Sequence, residues 1–482
     1  MSTASTNSPT AVPFKLDAQF AREFPELSSP GQGEDAPAPS LLLLNEELAQ
    51  ELGLDPEWLK SDDGINFLLG RDTEPLSQAV SQAYAGHQFG QFVPQLGDGR
   101  ALLLGEVQDK NGMWRDIHLK GSGRTKFSRG GDGRAALGPV LREYLVSEAM
   151  FALGVPTTRA LAVLTTGRKI QRETAVPGAV LVRVAASHIR VGSFQYSNLT
   201  GGIELSKRLA DFSIKRNYPE LASSLAEPTP QLYVDFFRAV MKRQARTVAQ
   251  WTRLGFVHGV LNTDNTLISG ETIDYGPCAF METYSEDTFF SSIDTQGRYS
   301  FGNQPSIIGW NLARLVETLL PLLAETPDEA MTQAQILMNE FGGLYREALQ
   351  AELALALGVD ASEKKLFEDF QNLLALHSPD LTTLMRALTE GTTKPSGFED
   401  WVARWQALNP NLKQMAQVNP IFIPRNHLVE DALSSALNGD LHNYLRLLKA
   451  VTHPFDREAG TAYLSLPSSP GFEDNYRTFC GT

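Results

Sequence analysis

A glycine-rich segment at residues 121–134 has the composition of an anion-binding loop. It reads GSGRTKFSRGGDGR, and residues 115–134 carry six basic and two acidic side chains. Glycines let backbone N–H groups approach an anion closely, while Arg and Lys supply positive charge. The segment therefore indicates a polyphosphate site. A flexible basic surface loop is the alternative that the composition leaves open.

Lys120 and Glu143 are candidates for a buried ion pair beside this loop. Lys120 ends a run in which Ile117 and Leu119 alternate with polar residues, as in a strand, and Glu143 falls in a helix predicted for 137–153. A buried lysine that faces phosphates needs an acidic partner to hold its position and its charge. Two ordinary surface charges are the alternative.

Residues 256–276 have the side chains of a divalent-cation site. The segment reads FVHGVLNTDNTLISGETIDYG, in which Asp274 follows Asn265 by nine residues. Mg²⁺ takes few protein oxygens and completes its shell with phosphate oxygens and water. Asn265 and Asp274 are therefore the predicted metal ligands. A pair of Asx turns in a loop is the alternative.

The same segment has the spacing of the protein-kinase catalytic loop. His258 and Asn265 are seven residues apart, as in H-R-D-x-x-x-x-N, and the sequence DYG at 274–276 stands where kinases have DFG. In that frame Lys120 and Glu143 take the places of the kinase lysine–glutamate pair.

One position departs from this frame. The kinase base position falls on Val260, which cannot accept a proton, and Asp264 is the available carboxylate. The frame therefore predicts binding of ATP and Mg²⁺ but disfavours ordinary γ-phosphoryl transfer. Two alternatives stay open: a kinase that uses Asp264 as a substitute base, and a non-catalytic ATP-binding scaffold.

Composition excludes several other classes. The 482 residues are 42% hydrophobic, carry a net charge of −14 and include two cysteines, so a largely disordered chain and a disulfide scaffold are both excluded. The acidic balance argues against a nucleic-acid coat or a polybasic membrane anchor. No Walker A loop, complete dinucleotide fingerprint, G-x-S-x-G elbow or zinc spacing is present. Without a leader-like start or an uninterrupted apolar span, we expect a cytoplasmic protein. A monomer is a separate expectation.

The elements that must position these residues change character along the chain. Residues 1–40 are predicted to be a loose arm and 41–54 a helix. Four predicted strands, at 101–107, 116–123, 160–166 and 179–185, flank the helix at 137–153. Further helices are predicted at 229–254, 308–323, 328–356, 363–376, 428–438 and 440–449. The order predicts an α+β protein with a β-rich part at 81–195, a helical part at 196–482 and the segment 1–80 before them.

Through ten colinear motifs the chain resembles the selenoprotein O (SelO/YdiU) family, whose members are pseudokinases that transfer AMP to proteins. These motifs are YAGHQFGQF at 84–92, QLGDGRA at 95–101, LKGSGRT at 119–125, SRGGDGRAAL at 128–137, REYLVSEAM at 142–150, RVAASHIRVGSFQ at 183–195, HGVLNTDN at 258–265, DYGP at 274–277, GNQP at 302–305 and NPIFIPRN at 419–426. The resemblance covers most of the chain and implies a kinase-like, two-lobed fold.

The resemblance also implies roles for individual residues. Asp264 would accept the proton of the attacking hydroxyl, and Asn265 with Asp274 would bind Mg²⁺ or Mn²⁺. ATP would bind in a flipped orientation, so that AMP passes to a Ser, Thr or Tyr hydroxyl of a protein; UMP transfer from UTP is a further implied activity. The nucleotide would contact Gly97, Gly99, Arg100, Lys120, Asp132, Gly133, Arg183, Arg190 and Asp274.

The cysteines depart from the family pattern. Cys480 stands third from the end, where the family often has Sec or Cys, but the loop at 286–301 lacks the cysteine that pairs with it in some members. The other cysteine is Cys278. The resemblance leaves redox control through a Cys278–Cys480 bond open. Two free thiols are the favoured alternative, because the sequence alone does not place the two cysteines within bonding distance.

Overall fold

An antiparallel sheet is followed along the chain by a large helical region. The computed structural model describes residues 10–71, 73–74, 78–391 and 395–479. The strands are β1 (Thr10–Ala11), β2 (Ser28–Pro30), β3 (Ser40–Leu44), β4 (Thr73–Glu74), β5 (Val80–Gln82), β6 (Gly86–Gln88), β7 (Gln91–Val93), β8 (Ala101–Gln108), β9 (Trp114–Lys120), β10 (Ala135–Ala136), β11 (Arg159–Gln171), β12 (Ala175–Ala185), β13 (Phe256–Val257) and β14 (Ala279–Phe280). The α-helices are α1 (Gln19–Glu23), α2 (Glu46–Glu51), α3 (Pro56–Lys60), α4 (Asp62–Leu68), α5 (Leu137–Ala152), α6 (Val191–Asn217), α7 (Pro230–Leu254), α8 (Gln304–Leu323), α9 (Pro327–Leu357), α10 (Lys364–His377), α11 (Leu381–Glu390), α12 (Glu399–Ala407), α13 (Leu412–Val418), α14 (Asn426–Leu437), α15 (His442–Thr452) and α16 (Phe472–Asn475).

The main sheet is antiparallel and buried on both faces. Its strand order is β2-β5-β8-β9-β12-β11-β3, with β10 paired to β12. Leu103 and Leu181 pack into one hydrophobic cluster, whereas Leu102 and Val182 pack into another. Because neighbouring residues of a strand point to opposite faces, two covered faces require the nearly continuous apolar runs that the sequence shows.

Helix α5 lies against one face of this sheet. It packs on β11 and β12 and is covered on its far side by α14 and α15. A helix enclosed in this way must be apolar nearly all round, and Arg142, Glu143 and Glu148 are its buried charged residues. The helix ends close to the predicted boundary, before Gly154, which has a φ of 78°. The helix predicted for 137–153 is confirmed.

Helix α7 delivers the chain to the loop that was singled out in the sequence. The helix ends at Gly255, whose left-handed backbone (φ 70°) caps it. Strand β13 then pairs with β14, so that the intervening loop is closed at its base. Inside the loop, buried His258 Nε2 donates to the Ile273 carbonyl at 2.8 Å. This bond joins the start of the loop to its end.

One helix in the described part of the chain, Phe301–Leu323, is long and apolar enough to cross a membrane by length and composition alone. Half of its most apolar window is buried inside the protein. It packs against α6, α7 and α9. Its apolar surface therefore contributes to the helical core.

Two predictions for the first part of the chain are wrong. Ser40–Leu44 form strand β3, paired with β11, and helix α2 begins only after Asn45, whose side chain accepts from Leu48 N at 3.0 Å. The described residues of the predicted arm are also ordered into the fold, because Phe20 and Phe24 are buried in the core and β2 joins the sheet. Residues 1–9 of that arm lie outside the described residues.

Candidate functional site

A cavity of about 320 Å³ opens between the sheet and the loop that follows α7. Its lining residues are Tyr84, Gln88, Leu96, Gly97, Asp98, Gly99, Arg100, Ala101, Lys120, Phe127, Ser128, Arg129, Gly131, Asp132, Gly133, Arg134, Arg172, Arg183, Arg190, Asp264, Asn265 and Asp274. Every residue predicted to bind nucleotide or metal is in this set. The tertiary structure thus brings together residues from distant segments of the chain.

Cations outnumber carboxylates in the lining. Seven of these residues are Lys or Arg and four are Asp. Arg134 is paired with Glu34 and Arg172 with Asp132. Arg100 and Arg129 also line the cavity. In the part of the chain that the structure describes, no carboxylate oxygen lies within 4.0 Å of the side-chain nitrogens of either arginine. The cavity therefore retains positive charge for an anion.

Lys120, Glu143, Arg183 and Asp274 form a cluster of alternating charge. Lys120 Nζ lies 2.6 Å from Glu143 Oε2 and 2.6 Å from Asp274 Oδ1. Arg183 contacts the same two carboxylates. Its Nε lies 2.5 Å from Glu143 Oε1, and its Nη2 lies 3.0 Å from Asp274 Oδ1. Burial alone would raise the pKa of Glu143 and of Asp274, but the two cations outweigh it, so both pKa values lie below their ordinary range. Both carboxylates are therefore charged at neutral pH.

Strand register explains why the two cations meet. His118 and Lys120 are two residues apart on β9 and so share one face of the sheet. In the antiparallel register Arg183 of β12 lies opposite His118, and Leu181 lies opposite Lys120. Arg183 is thus a diagonal neighbour of Lys120, within reach of the Glu143 carboxylate on α5.

Asp264 is a buried carboxylate with one oxygen free of hydrogen bonds. It lies in the short helical turn Thr263–Asn265, where Gln88 Nε2 donates to its Oδ2 at 3.3 Å. Its Oδ1 has no hydrogen-bond partner among the described residues. Arg190 Nη1 donates to the Asp264 backbone carbonyl at 2.9 Å and holds the turn. Burial raises the pKa of Asp264 to about 6, a value suited to a general base near neutral pH.

Asn265 and Asp274 present oxygens that fit a divalent cation. Asn265 Nδ2 donates to the Val260 carbonyl at 3.0 Å, which leaves the amide oxygen as the available ligand atom. Asp274 has a left-handed backbone (φ 70°), and its Oδ1 receives Lys120 and Arg183. No group of three or more His, Cys, Asp or Glu in the described segments could hold a metal on its own. The set suits an ion that takes two protein oxygens and draws the rest from a phosphate and water.

Two glycine loops of the cavity pack against each other. A Cβ on Gly97 would lie 2.5 Å from the Phe127 ring, and one on Gly133 would lie 2.1 Å from the Gly123 carbonyl oxygen. Ser128 Oγ also donates to the Gly99 carbonyl at 2.5 Å. Glycine is required here because the loops leave no room for a side chain. The predicted contact of these glycines with a nucleotide stays a prediction.

Comparison with known proteins gives the family of the chain. The family model described as protein adenylyltransferase SelO matches residues 17–452. The chain belongs to the SelO family. It is 63% identical to the protein nucleotidyltransferase YdiU of Corynebacterium glutamicum (strain R), over 98% of this chain and 99% of the relative. The YdiU proteins of Corynebacterium efficiens and Mycolicibacterium smegmatis are 62% and 51% identical, over 99% and 97% of this chain and 98% of each relative.

Membership of the SelO family confirms two predictions. The resemblance inferred from ten motifs is correct, and the chain is an enzyme of the nucleotidyltransferase class. The mixed α and β composition is also confirmed by the antiparallel sheet and the helical region.

Several lining residues in this SelO-family site were missed in the sequence. Tyr84, Gln88 and Asp98 lay in quoted motifs without an assigned role. Asp98 is buried, receives His118 at 3.1 Å and lies 3.5 Å from Arg190, which also stacks over the Tyr84 ring. Their place in glycine-flanked motifs was the available signal. Arg172 comes from the turn between β11 and β12, and no local pattern marks it.

Only one of the two cysteines lies in the described part of this SelO-family chain. Cys278 is buried, its thiol donates to the Tyr275 carbonyl at 3.2 Å, and burial raises its pKa to about 12. A thiol in this environment is a weak nucleophile. Cys480 lies outside the described residues, so the Cys278–Cys480 pairing stays a prediction.

Proposed function

We propose that this chain transfers AMP from ATP to a Ser, Thr or Tyr hydroxyl of a protein and releases pyrophosphate. The observation that carries the proposal is the buried Asp264 Oδ1, which has no hydrogen-bond partner among the described residues and belongs to the same cavity as the cationic cluster. Membership of the adenylyltransferase family and the names of the relatives support it. UMP transfer from UTP is part of the same proposal.

In the proposed step, the acceptor hydroxyl gives its proton to Asp264 Oδ1 while its oxygen attacks the α-phosphorus. The bond between the α-phosphorus and the bridging oxygen breaks, and pyrophosphate leaves with the electron pair. Arg190 holds the Asp264 turn through the 2.9 Å bond to its carbonyl. Val260, at the position of the kinase base, is a buried apolar side chain, so Asp264 is the proton acceptor that the chain offers.

Flipped binding of ATP explains the excess of cations. The leaving pyrophosphate carries most of the negative charge, and it must be neutralised where it leaves. Arg100 and Arg129 line the cavity without a carboxylate within 4.0 Å in the described chain, and Lys120 with Arg183 stands beside them. We place the terminal phosphates among these side chains and the α-phosphate toward Asp264.

Asn265 and Asp274 are the proposed ligands of Mg²⁺ or Mn²⁺. These two side chains would hold the ion, and a divalent cation held there would supply positive charge near the phosphates. Lys120 and Arg183 fix the Asp274 carboxylate through its Oδ1, so Oδ2 is left for the ion.

The kinase-like architecture belongs to this proposal. We propose that 81–195 form the sheet-bearing lobe, to which the preceding segment 1–80 adds strands β2 and β3, and that 196–482 form the helical lobe with a family-specific extension. The Lys120–Glu143 pair between β9 and α5 supports the comparison with kinases. A monomeric, cytoplasmic protein without nucleic-acid or membrane partners stays the prediction made from the sequence.

ATP labelled at the α- or γ-phosphate tests the activity directly. Incubated with a bacterial lysate and Mg²⁺ or Mn²⁺, the protein should transfer the α-label, and the Asp264→Asn variant should not. Transfer of the γ-label alone would identify an ordinary kinase. Equal inactivity of the wild type and Asp274→Ala, with ATP binding retained by the wild type, would identify a non-catalytic scaffold. Competition between ATP and UTP separates AMP from UMP transfer.

A further inference from the structure

Five aromatic and cationic side chains form a continuous surface next to the cavity. We call them the acceptor patch: His87, Phe92, Arg298, Trp310 and Arg314. The His87 ring contacts the Phe92 ring at 4.7 Å and the Trp310 ring at 5.0 Å between centroids. Arg298 and Arg314 stack over Trp310, with guanidinium carbons 5.2 Å and 4.8 Å from its centroid. None of the five lines the cavity itself.

The β6–β7 hairpin connects this patch to Asp264. His87 and Phe92 are paired across the hairpin, and the next residue, Gln88, donates to Asp264 Oδ2 at 3.3 Å. His87 N also donates to the Thr263 hydroxyl at 2.7 Å, one residue before Asp264. A protein segment that presents its hydroxyl to Asp264 would therefore meet the patch within a few residues.

The patch is positively charged in a protein whose net charge is −14. Arg298 has no carboxylate oxygen within 4.0 Å of its side-chain nitrogens in the described part of the chain, and its Nε there has no hydrogen-bond partner. Arg314 is paired with Glu317, a side chain that is 53% exposed. Burial lowers the pKa of His87, and the charges of Arg314 and Arg298 lower it further. The histidine is neutral, so the two guanidinium groups set the charge of the patch.

Partly exposed aromatic and Arg side chains are common at protein-binding surfaces. Phe92 is 43% exposed, although it is a large apolar side chain. Trp, Phe and Arg are enriched where proteins bind, because they bury large areas and their guanidinium groups hydrogen-bond carboxylates. The chemistry here fits a segment with carboxylates close to its hydroxyl.

We propose that the acceptor patch selects protein segments that carry Asp or Glu beside the hydroxyl to be modified. This inference rests on the proposed AMP transfer and names the substrate class of the same site. Arg298 and Arg314 would pair with the carboxylates, while Trp310 and Phe92 would pack against the apolar parts of the segment. Because the pairs are partly exposed, each should favour an acidic over a neutral segment by about two- to fivefold.

A set of short peptides tests the proposal. Each peptide carries one Ser, Thr or Tyr flanked by Glu, by Gln or by Lys, and transfer of α-labelled ATP is measured at low salt. The wild type should have the highest kcat/KM for Glu-flanked peptides and the lowest for Lys-flanked ones. In the Arg298→Glu variant the order should reverse, so that Lys-flanked peptides have the highest kcat/KM. The ratio of two peptides within one preparation does not depend on the fraction of protein that is folded.

Arg446→Glu is the matched control, because Arg446 is an exposed arginine of α15 outside the cavity lining and the patch. It should keep the wild-type order of peptides. Equal kcat/KM for all three flanks, or the same order in wild type and Arg298→Glu, would overturn the patch proposal while label transfer itself still supports the proposed function. Absence of α-label on any peptide and on the protein itself would overturn both.

Discussion

The Lys120 ammonium lies 2.6 Å from the Glu143 carboxylate, and both groups are almost completely buried. The same ammonium lies 2.6 Å from Asp274, and the same carboxylate also receives Arg183. Each charge in this cluster is balanced by two opposite ones. Such an arrangement holds the cavity side chains in one geometry before any nucleotide binds.

Replacement of Glu143 by Gln should therefore destabilise the protein. Lys120 and Arg183 would lose a buried counter-charge, which typically costs about 3–5 kcal/mol in the free energy of unfolding. Urea unfolding of the wild type and Glu143→Gln measures this. Lys60→Met is the control, because Lys60 pairs with Glu46 and Glu57 on the surface, and it should leave stability nearly unchanged. A stable Glu143→Gln protein would show that the cluster contributes little.

Asp264→Asn should lower the rate of AMP transfer by about 10²- to 10⁴-fold, because an amide cannot accept the hydroxyl proton. ATP binding, measured by calorimetry, should persist, since the proposed role of the carboxylate is toward the acceptor hydroxyl. Asp287→Asn removes an exposed carboxylate from the loop after β14 and should retain full activity. Comparable rates for wild type and Asp264→Asn would assign the base elsewhere.

Gln88→Leu should lower kcat by about tenfold to a hundredfold and leave KM for ATP unchanged. We expect Gln88 to act as a positioning residue, since its amide donates to one oxygen of Asp264 at 3.3 Å, and hydrogen bonds to charged groups contribute about 1.5–3 kcal/mol. Gln88→Asn keeps the amide on a shorter side chain and should retain more of the rate than Gln88→Leu. Gln91→Leu, at an exposed position of the same hairpin, should behave as wild type. A change in KM alone would point to a role in ATP binding instead.

Asn265→Ala should raise the Mn²⁺ concentration needed for half-saturation by about tenfold. The variant loses the amide oxygen that we propose as a metal ligand, while Asp274 remains in place. Electron paramagnetic resonance of Mn²⁺ with ATP reports binding independently of turnover, and a chelator should abolish transfer by the wild type. Asn303→Ala, an exposed residue just before α8, should not change Mn²⁺ binding. Unchanged Mn²⁺ affinity in Asn265→Ala would remove this residue from the ligand set.

Acidification from pH 7.5 to 5.5 should destabilise the wild type partly through His188. Burial and the neighbouring His118 lower the pKa of His188 to about 3 in the folded protein, although its bond to Asp116 opposes them. In the unfolded chain the pKa of this histidine is about 6.5, so its contribution to stability is present above that pH and is lost as the pH falls below it. The loss at pH 5.5 is about 1.4 kcal/mol. His188→Gln should show a smaller decrease between the two pH values in urea unfolding, and equal decreases would contradict the assignment.

Most of the candidate site residues could be recognised from the sequence because they lie in short contiguous segments. Asp264, Asn265 and Asp274 lie in one loop, and Lys120 ends a strand with clear alternation, so residue type and spacing were sufficient to single them out. The long strands and helices were predictable for the same reason, because periodicity of two or 3.6 residues is a local property. The strand at Ser40–Leu44 was not, since its apolar run reads as a helix until its pairing with β11 is known.

By itself, the sequence determined which groups are present: glycine loops, a cluster of cations and a loop with Asp and Asn. Only the tertiary structure decided which of them meet. Gln88 contacts Asp264 across 176 residues, and Lys120 contacts Asp274 across 154. The proposed role of Arg298, Arg314 and Trp310 depends on the β6–β7 hairpin, which packs beside them. Contacts of this kind depend on how the sheet packs against the helical region, and that packing is set by the whole core rather than by any local pattern.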